Sequence, residues 1–233
     1  MPDGTFDVGF VGELTAVDGA DAIVLLGAGA RYGVSDDLEV SIALLRFLIK
    51  TVESQTLIRA RRYPPYHHVA PARNADIDAP ILGASLRLFD GAVSMAARLE
   101  VEVPLQDDVE VGASLPLVFR LGQVARIDIV PAIVAVIGDF DRSAAIVAFE
   151  GGVQPFSRLY LAGRLVADID RFGTNLRPGG RITWTVGEPD SASFEIGVAA
   201  QVDVPIDKGL PSPVGGDPVS VQLMIRGFFD DDD

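Results

Sequence analysis

The sequence predicts an all-β fold, a closed, antiparallel, up-and-down transmembrane β-barrel of about twelve strands. Hydrophobic residues make up 48% of the 233 residues, yet we find no uninterrupted apolar run of the roughly 18 residues that a membrane-spanning helix needs. Apolar and polar residues instead alternate with a period of two over many segments, as in strands with one apolar and one polar face. The connections between these segments also alternate in length, as they do when hairpins cross a membrane.

The alternation is clearest between residues 92 and 103. Leu99 and Val101 fall on one side of this segment, whereas Arg98 and Glu100 fall on the other. A helix would scatter both sets around its axis, because its period is about 3.6 residues rather than two. The segment therefore predicts a strand that turns one face to lipid or core and the other face to water.

The same period divides the chain into strands of roughly ten residues, the length that a tilted strand needs to cross a membrane. The predicted strands span residues 6–16, 22–33, 38–49, 80–89, 92–103, 109–119, 125–137, 144–154, 158–169, 180–187, 193–203 and 218–229. We expect one domain from residue 1 to residue 233, with a long outer loop at residues 50–79 and an acidic tail at residues 230–233.

The connections test this prediction, because a barrel with both termini in the periplasm has longer outer loops and short inner turns. The predicted outer connections are residues 17–21, 50–79, 104–108, 138–143, 170–179 and 204–217. The predicted inner turns are residues 33–37, 90–91, 120–124, 155–157 and 187–192. The three longest connections all fall on the outer side. On the inner side, Asp90-Gly91 is a hairpin turn, since both residues tolerate the positive φ angles that such turns demand.

Two prolines interrupt the pattern, because Pro116 and Pro131 lie inside predicted strands. Each proline removes a donor from the hydrogen-bond ladder, and a closed barrel has no edge where that loss is harmless. We therefore expect β-bulges at both positions. Between residues 130 and 137 both faces of the predicted strand are apolar, so part of the lumen is predicted to be packed rather than wet.

The segment Arg31–Val40, with the sequence RYGVSDDLEV, resembles a hairpin that recurs in bacterial outer-membrane β-barrel proteins, the porin-like and transporter-like superfamily. The resemblance implies a multi-pass barrel in the outer membrane of a Gram-negative envelope, with this hairpin as a periplasmic turn. Phe228 or Phe229 resembles the terminal aromatic residue read by the barrel-assembly machinery, although four aspartates follow. The first residues lack a basic region followed by an apolar stretch, so we expect no export signal in this chain.

Composition narrows the classes of function. The chain has no cysteine, which excludes disulfides and thiolate metal sites, and its formal net charge of -14 argues against nucleic-acid binding. Dinucleotide and phosphate-loop fingerprints are absent from the sequence, as is the Gly-x-Ser-x-Gly motif of serine hydrolases. His67 and His68 are the only histidines, and adjacent residues cannot easily share one metal ion. We therefore predict no enzyme activity, no cofactor and no metal.

The polar face of the predicted strands supplies candidates for a lumen lining. These residues are Arg31, Glu39, Arg87, Arg98, Glu100, Glu102, Glu110, Arg126, Asp128, Glu150, Arg164, Arg181, Glu195 and Arg226. Charges of both signs that face one another across a narrow lumen either line a water-filled path or pair into a plug. The sequence leaves these alternatives open.

The predicted long loop is basic and aromatic in an otherwise acidic chain. Its candidates for anion binding are Arg59, Arg61, Arg62, His67, His68 and Arg73. Guanidinium groups in an outer loop can hold lipid phosphates, sugar phosphates or an anionic solute through charge-assisted hydrogen bonds. A solvated loop without a ligand is the simpler interpretation, and we favour it.

The functional prediction is an outer-membrane pore or channel for small solutes. Its expected partners are membrane lipid, with lipopolysaccharide as a further candidate, small solutes, and the assembly machinery during biogenesis. The alternative is a non-conducting barrel that acts as a surface scaffold or binding module through its long loops. A third interpretation, a soluble β-sandwich or barrel that binds an apolar ligand, would require a polar exterior.

Overall fold

The computed structural model describes residues 4–17, 21–50, 58–61, 67–70, 75–77, 80–102, 109–122, 124–137, 143–170, 173–186, 193–202, 204–206 and 219–229. These ranges contain strands and turns, and no helix among them is long and apolar enough to cross a membrane. The strands are β1 (Phe6–Val17), β2 (Asp21–Gly33), β3 (Leu38–Lys50), β4 (Ile58–Arg61), β5 (His67–Ala70), β6 (Ala75–Ile77), β7 (Ile81–Phe89), β8 (Val93–Glu102), β9 (Val109–Ser114), β10 (Leu117–Leu121), β11 (Ala125–Ile137), β12 (Ala144–Phe156), β13 (Leu159–Asp170), β14 (Gly173–Val186), β15 (Ser193–Val202), β16 (Val204–Pro205) and β17 (Val219–Phe229).

These strands form a closed antiparallel wall. The barrel closes between its first and last strands, where Phe6 of β1 faces Phe229 of β17. β9 and β10 act as one strand, since both pair with β8 on one side and with β11 on the other. β15 and β16 likewise continue one another along β14. The wall therefore has 12 strands, and the predicted closed antiparallel barrel is confirmed.

Alternating residues give the wall two chemically different faces. Along β12, Val147 and Phe149 are exposed, whereas Ile146, Ala148 and Glu150 are buried. The other strands repeat this pattern, and many of their exposed residues are aliphatic or aromatic. The outer surface is thus apolar, as is expected of a surface that meets hydrocarbon, while the charged residues turn inward.

The two ends of the barrel differ. We call the end where β1 begins and β17 ends the terminal end, and the opposite end the loop end. Exposed aromatic side chains ring the outer surface near the terminal end. They are Phe6, Tyr32, Phe89, Phe156, Trp184, Phe194 and Phe229. Aromatic residues are enriched where a barrel crosses from hydrocarbon to the polar interface, so this ring marks such a boundary.

The predicted outer loop at residues 170–179 is wrong. β14 begins at Gly173, which leaves residues 171–172 to connect it to β13. The glycine, proline and asparagine residues of this segment favour a loop by intrinsic preference. Pairing with a neighbour on each side overrides that preference, and Gly179 permits the close approach, because a Cβ there would lie 2.5 Å from the carbonyl oxygen of Ala200.

Two other predicted outer loops contain strand. Within residues 50–79, β4 and β5 pair with each other, and β6 pairs with residues 47–49 of β3. Within residues 204–217, Val204 and Pro205 pair with β14, so this hairpin extends further than the sequence pattern predicts. Short paired segments of this kind lack a clear period of two, which requires longer runs to be recognised.

The predicted bulges at Pro116 and Pro131 are wrong. The residue pairs that flank Pro116 keep the same spacing on β8, on β9 with β10, and on β11, so the register continues unbroken. Each proline still uses its carbonyl. Pro131 accepts from the amide of Leu115 at 3.0 Å, and Pro116 accepts from the amide of Ala96 at 3.1 Å. Each proline therefore lacks one amide donor, but the strand keeps its register.

Candidate functional site: the barrel lumen

The inward face carries ion pairs that join neighbouring strands. Asp7 accepts hydrogen bonds from Arg31 of β2, with its Nε at 2.7 Å, and from Arg226 of β17, with its Nη2 at 2.5 Å. Glu39 lies 3.5 Å from Arg31, and Glu195 lies 4.0 Å from Arg226. We call these five residues the Asp7 cluster. It spans five strands at the terminal end and includes the closure of the barrel.

A second group, the Tyr160 cluster, lines the neighbouring strands β11 to β14. Arg126 donates to Asp128 through Nε at 3.0 Å and Nη2 at 2.5 Å, and Arg181 donates to Glu150. The Tyr160 ring lies near both arginines, at 5.7 Å from the Arg126 guanidinium and 5.4 Å from that of Arg181. Cations within about 6 Å of an aromatic ring are attracted to its face. The ring therefore links the two ion pairs across four strands.

Gly152 makes room for the Tyr160 ring. A Cβ at Gly152 would lie 2.2 Å from the tyrosine hydroxyl oxygen. The tyrosine side chain can therefore lie flat on the inner wall only because this position carries no side chain. Its hydroxyl is 3.5 Å from Glu150, which is buried.

A third group lies on β3, β7 and β8. Arg98 Nε is 2.7 Å from the carboxylate of Glu100, and Arg98 also donates to the Ser41 hydroxyl at 3.4 Å. Gly83 lies between them, where a Cβ would come within 2.4 Å of Ser41 Oγ and 3.0 Å of Glu100 Cγ. Glycine at this position thus lets side chains from both neighbouring strands approach each other over the inner wall.

The remaining predicted lining residues are placed as follows. Arg164 lies opposite Glu150 in the register of β12 and β13, and Arg87 approaches Asp90 in the turn after β7 at 3.9 Å. Glu102 and Glu110 face each other in the backbone register of β8 and β9, but their side chains lie outside the described part of the chain.

One sector of the lumen wall is apolar and buried. Inward-facing aliphatic residues of β11, β12 and β13 form it, mostly in the half nearer the loop end. The members of this apolar wall are Val130, Ala132, Val134, Ile146, Ala148 and Val166. Val166 has no exposed surface, so this part of the lumen is covered by protein. The prediction that part of the lumen is packed rather than wet holds for these residues.

Sequence reasoning missed several buried polar residues of the inner face, notably Asp7, Arg177, Thr183 and Gln222. Asp7 was detectable, because it alternates with Phe6 at the start of a predicted strand. Arg177 was not, because its segment has the composition of a loop.

Some of the basic residues of the predicted long loop lie on the short strands β4 and β5. Arg59, Arg61, His67 and His68 lie on β4 and β5, where Arg61 pairs with His67 along the backbone, but their side chains lie outside the described part. Arg62 and Arg73 lie outside the described residues altogether.

No protein-family model matches the sequence, and no curated protein matches it. Solved structures match its fold over almost the whole chain. The COG4313 outer membrane channel from Pseudomonas putida F1 has a TM-score of 0.67 at 12% identity, covering 98% of this chain and 96% of that one. The KdgM porin in complex with disordered oligogalacturonate has a TM-score of 0.61 at 7% identity, covering 94% and 97%. The NanC porin has a TM-score of 0.60 at 8% identity, covering 94% and 98%, so this chain is similar in fold to outer-membrane barrels.

Proposed function

We propose that this chain is an outer-membrane pore or channel for small solutes, and that it is not an enzyme. The observation that carries the proposal is a closed wall of 12 strands, apolar outside and lined inside by ion pairs on most strands. An apolar exterior suits hydrocarbon, because water would penalise so much exposed aliphatic surface. Charged groups lining the inside support a polar path for solutes rather than a site for apolar ligands.

The fold neighbours support the same proposal, because those named above are a channel and porins. The short turns at the terminal end, such as residues 34–37 and 157–158, support an orientation in which that end faces the periplasm, because outer-membrane barrels have short periplasmic turns. We propose further that residues 1–233 form one domain, with residues 50–79 on the outer side and residues 230–233 as an acidic tail. Membrane lipid and lipopolysaccharide are the proposed contacts of the outer surface, and the assembly machinery is the proposed partner during biogenesis.

The alternative, a non-conducting barrel that acts through its loops, is favoured by the apolar wall. Val134, Ile146 and Val166 are buried although they face the lumen, so neighbouring protein covers this part of the inner wall. The ion pairs favour conduction only if water passes beside them. Arg31 and Arg226 retain 29% and 33% exposed side chain, which supports a wet path at the terminal end.

Conductance in a planar bilayer tests the proposal. The purified chain is folded in detergent, and membrane-competent folding is verified by heat-modifiable migration on a gel. We expect steady, reproducible current steps in potassium chloride. Heat-modifiable insertion without steps would favour the non-conducting scaffold, and a chain that stays monodisperse without detergent would exclude a membrane barrel.

A matched pair of variants separates conduction through the lumen from leakage around the protein. Ala162 faces the lumen on β13, whereas Gly163 beside it faces outward, where a Cβ would meet nothing within 4 Å. Ala162→Trp is expected to lower the conductance, because it fills the path, while Gly163→Ala leaves it unchanged. Equal conductance in all three proteins would mean that the current does not pass through the lumen.

A further inference from the structure

Asp7 contacts arginines from both of its neighbouring strands. Arg31 on β2 donates to one carboxylate oxygen, Oδ2, through both Nε and Nη2, and Arg226 on β17 donates to the same oxygen at 2.5 Å. A second contact joins Arg226 Nε to Oδ1 at 3.4 Å. Charge-assisted hydrogen bonds of this kind are roughly twice as strong as neutral ones. A single carboxylate thus accepts hydrogen bonds from two guanidinium groups, and one of these lies on the last strand, with which β1 pairs to close the barrel.

The register and a glycine fix this arrangement. Asp7 lies directly opposite Arg31, and Gly9 lies directly opposite Arg226. A Cβ at Gly9 would come within 3.2 Å of Arg226 Cγ, so the glycine lets the arginine lie against β1. On its other side, the Arg226 guanidinium lies 4.8 Å from the centre of the Phe228 ring. Both arginines are therefore held along the wall rather than extended into the lumen.

Exposure separates the carboxylate from the two guanidinium groups. The Asp7 side chain is 3% exposed, whereas those of Arg31 and Arg226 are 29% and 33% exposed. Water in the lumen therefore meets the arginines, and Asp7 lies behind them as a fixed counter-charge. Glu39 and Glu195 lie at the edges of the cluster, at 3.5 Å and 4.0 Å from the nearest arginine nitrogen.

We propose that Asp7 determines the ion selectivity of this pore. It holds Arg31 and Arg226 against the wall and offsets part of their charge, so that small cations can pass the terminal end alongside small anions. Without the carboxylate, two guanidinium groups would be released toward the lumen, and the local field would attract anions and repel cations. This inference rests on the proposed function.

The experiment measures the reversal potential in a potassium chloride gradient for the full chain and for Asp7→Asn. We expect the chloride-to-potassium permeability ratio to rise by roughly five- to thirtyfold, because the loss of one unit charge at about 4 to 8 Å of water favours chloride and disfavours potassium by about two- to fivefold each. Asp37→Asn is the matched control, because it removes the same charge from the exposed turn between β2 and β3. Its ratio is expected to equal that of the unmodified chain.

Arg226→Gln is measured in parallel, and its expected shift is in the opposite direction, toward potassium. If either Asp7→Asn or Arg226→Gln fails to insert, the permeability ratio of the other variant decides whether the proposal stands. Unmodified protein that inserts without conducting would overturn both the proposed function and the role of Asp7. A conducting protein whose ratio does not change in the inserted variants, or changes equally in Asp37→Asn, would overturn the role of Asp7 alone.

Discussion

Two regions of the inner wall on β11 to β13 are built in different ways from the same strands. Near the terminal end, β13 turns Tyr160 inward between two arginines, and the wall there carries ion pairs. Nearer the loop end, the same strand turns Val166 inward into an apolar, buried wall. The outward face does not change in this way, since Leu161 and Leu165 are both exposed on the outside.

The lipid and the lumen therefore constrain the sequence separately. The outer face must remain apolar along the whole span, because charged groups facing hydrocarbon are costly. The inner face has no such uniform solvent, so it can be charged where water enters and aliphatic where protein covers it.

The largest expected effect comes from placing the same carboxylate in each of the two regions. Ala148→Asp puts a charge at a buried position on β12 whose register partners are Val130 and Val166, and the penalty of burying an unpaired ion is several kcal/mol. Ala162→Asp puts it on the inner face of β13, directly opposite Arg181. We expect Ala148→Asp to abolish heat-modifiable folding and Ala162→Asp to retain it. Equal behaviour of the two variants would contradict the difference between the two regions.

A smaller effect is expected from breaking the ion pair between Glu150 and Arg181. Glu150→Gln leaves the arginine without its carboxylate, and we expect a loss of about 1 to 3 kcal/mol in the free energy of unfolding. The partial exposure of Arg181, at 23%, favours the lower end of this range. Adding Arg181→Gln should recover part of the loss, because the charge that lost its partner is then also removed. Urea titration measures all three variants, and strictly additive losses would mean that the pair is not coupled.

Displacing the Tyr160 ring is expected to cost about 1 kcal/mol, the usual scale of a cation–π contact. Gly152→Ala would place a Cβ 2.2 Å from the tyrosine hydroxyl, so the ring must leave its position between the two arginines. Gly163→Ala, on the outward face, is the control, since nothing lies within 4 Å of its Cβ. The comparison uses urea titration of the two alanine variants. If Gly163→Ala lowered the free energy of unfolding as much as Gly152→Ala does, backbone effects rather than the displaced ring would be responsible.

The smallest expected effect concerns the turn after β7, outside the lumen. Hydrogen bonds from Ser94 and Arg120 hold the pKa of Asp90 well below its usual value of 3.8. Because the pKa is lowered in the folded state, the stabilisation is fully present above pH 3.8 and is lost as the pH falls toward the lowered value. The stability difference between the unmodified chain and Asp90→Asn should therefore stay constant at neutral pH and shrink on acidification. A difference that instead changed between pH 6 and pH 8 would point to another titrating group.

Much of the wall was predictable from local pattern. Residues such as Leu99 and Glu100 are assigned to opposite faces by the period of two, and the structure confirms this with Glu100 buried and Leu99 exposed. A turn near Asp90-Gly91 was predictable, but the predicted two-residue geometry is wrong, because three residues separate β7 from β8 and the described glycines with positive φ are Gly4 and Gly122. The chain segment around Arg177 was not, since its glycines and proline favour a loop until two neighbouring strands pair with it.

The class of fold, the number of strands and the face on which most charged residues lie all follow from the amino-acid pattern alone. Each of them depends on a period of two along one strand, which is local information. The hydrogen bonds of Asp7 to arginines on two other strands, the position of Tyr160 between two ion pairs and the burial of the apolar wall follow only from the folded structure. These depend on the register between strands and on the curvature of a closed wall, which bring together residues far apart in the chain.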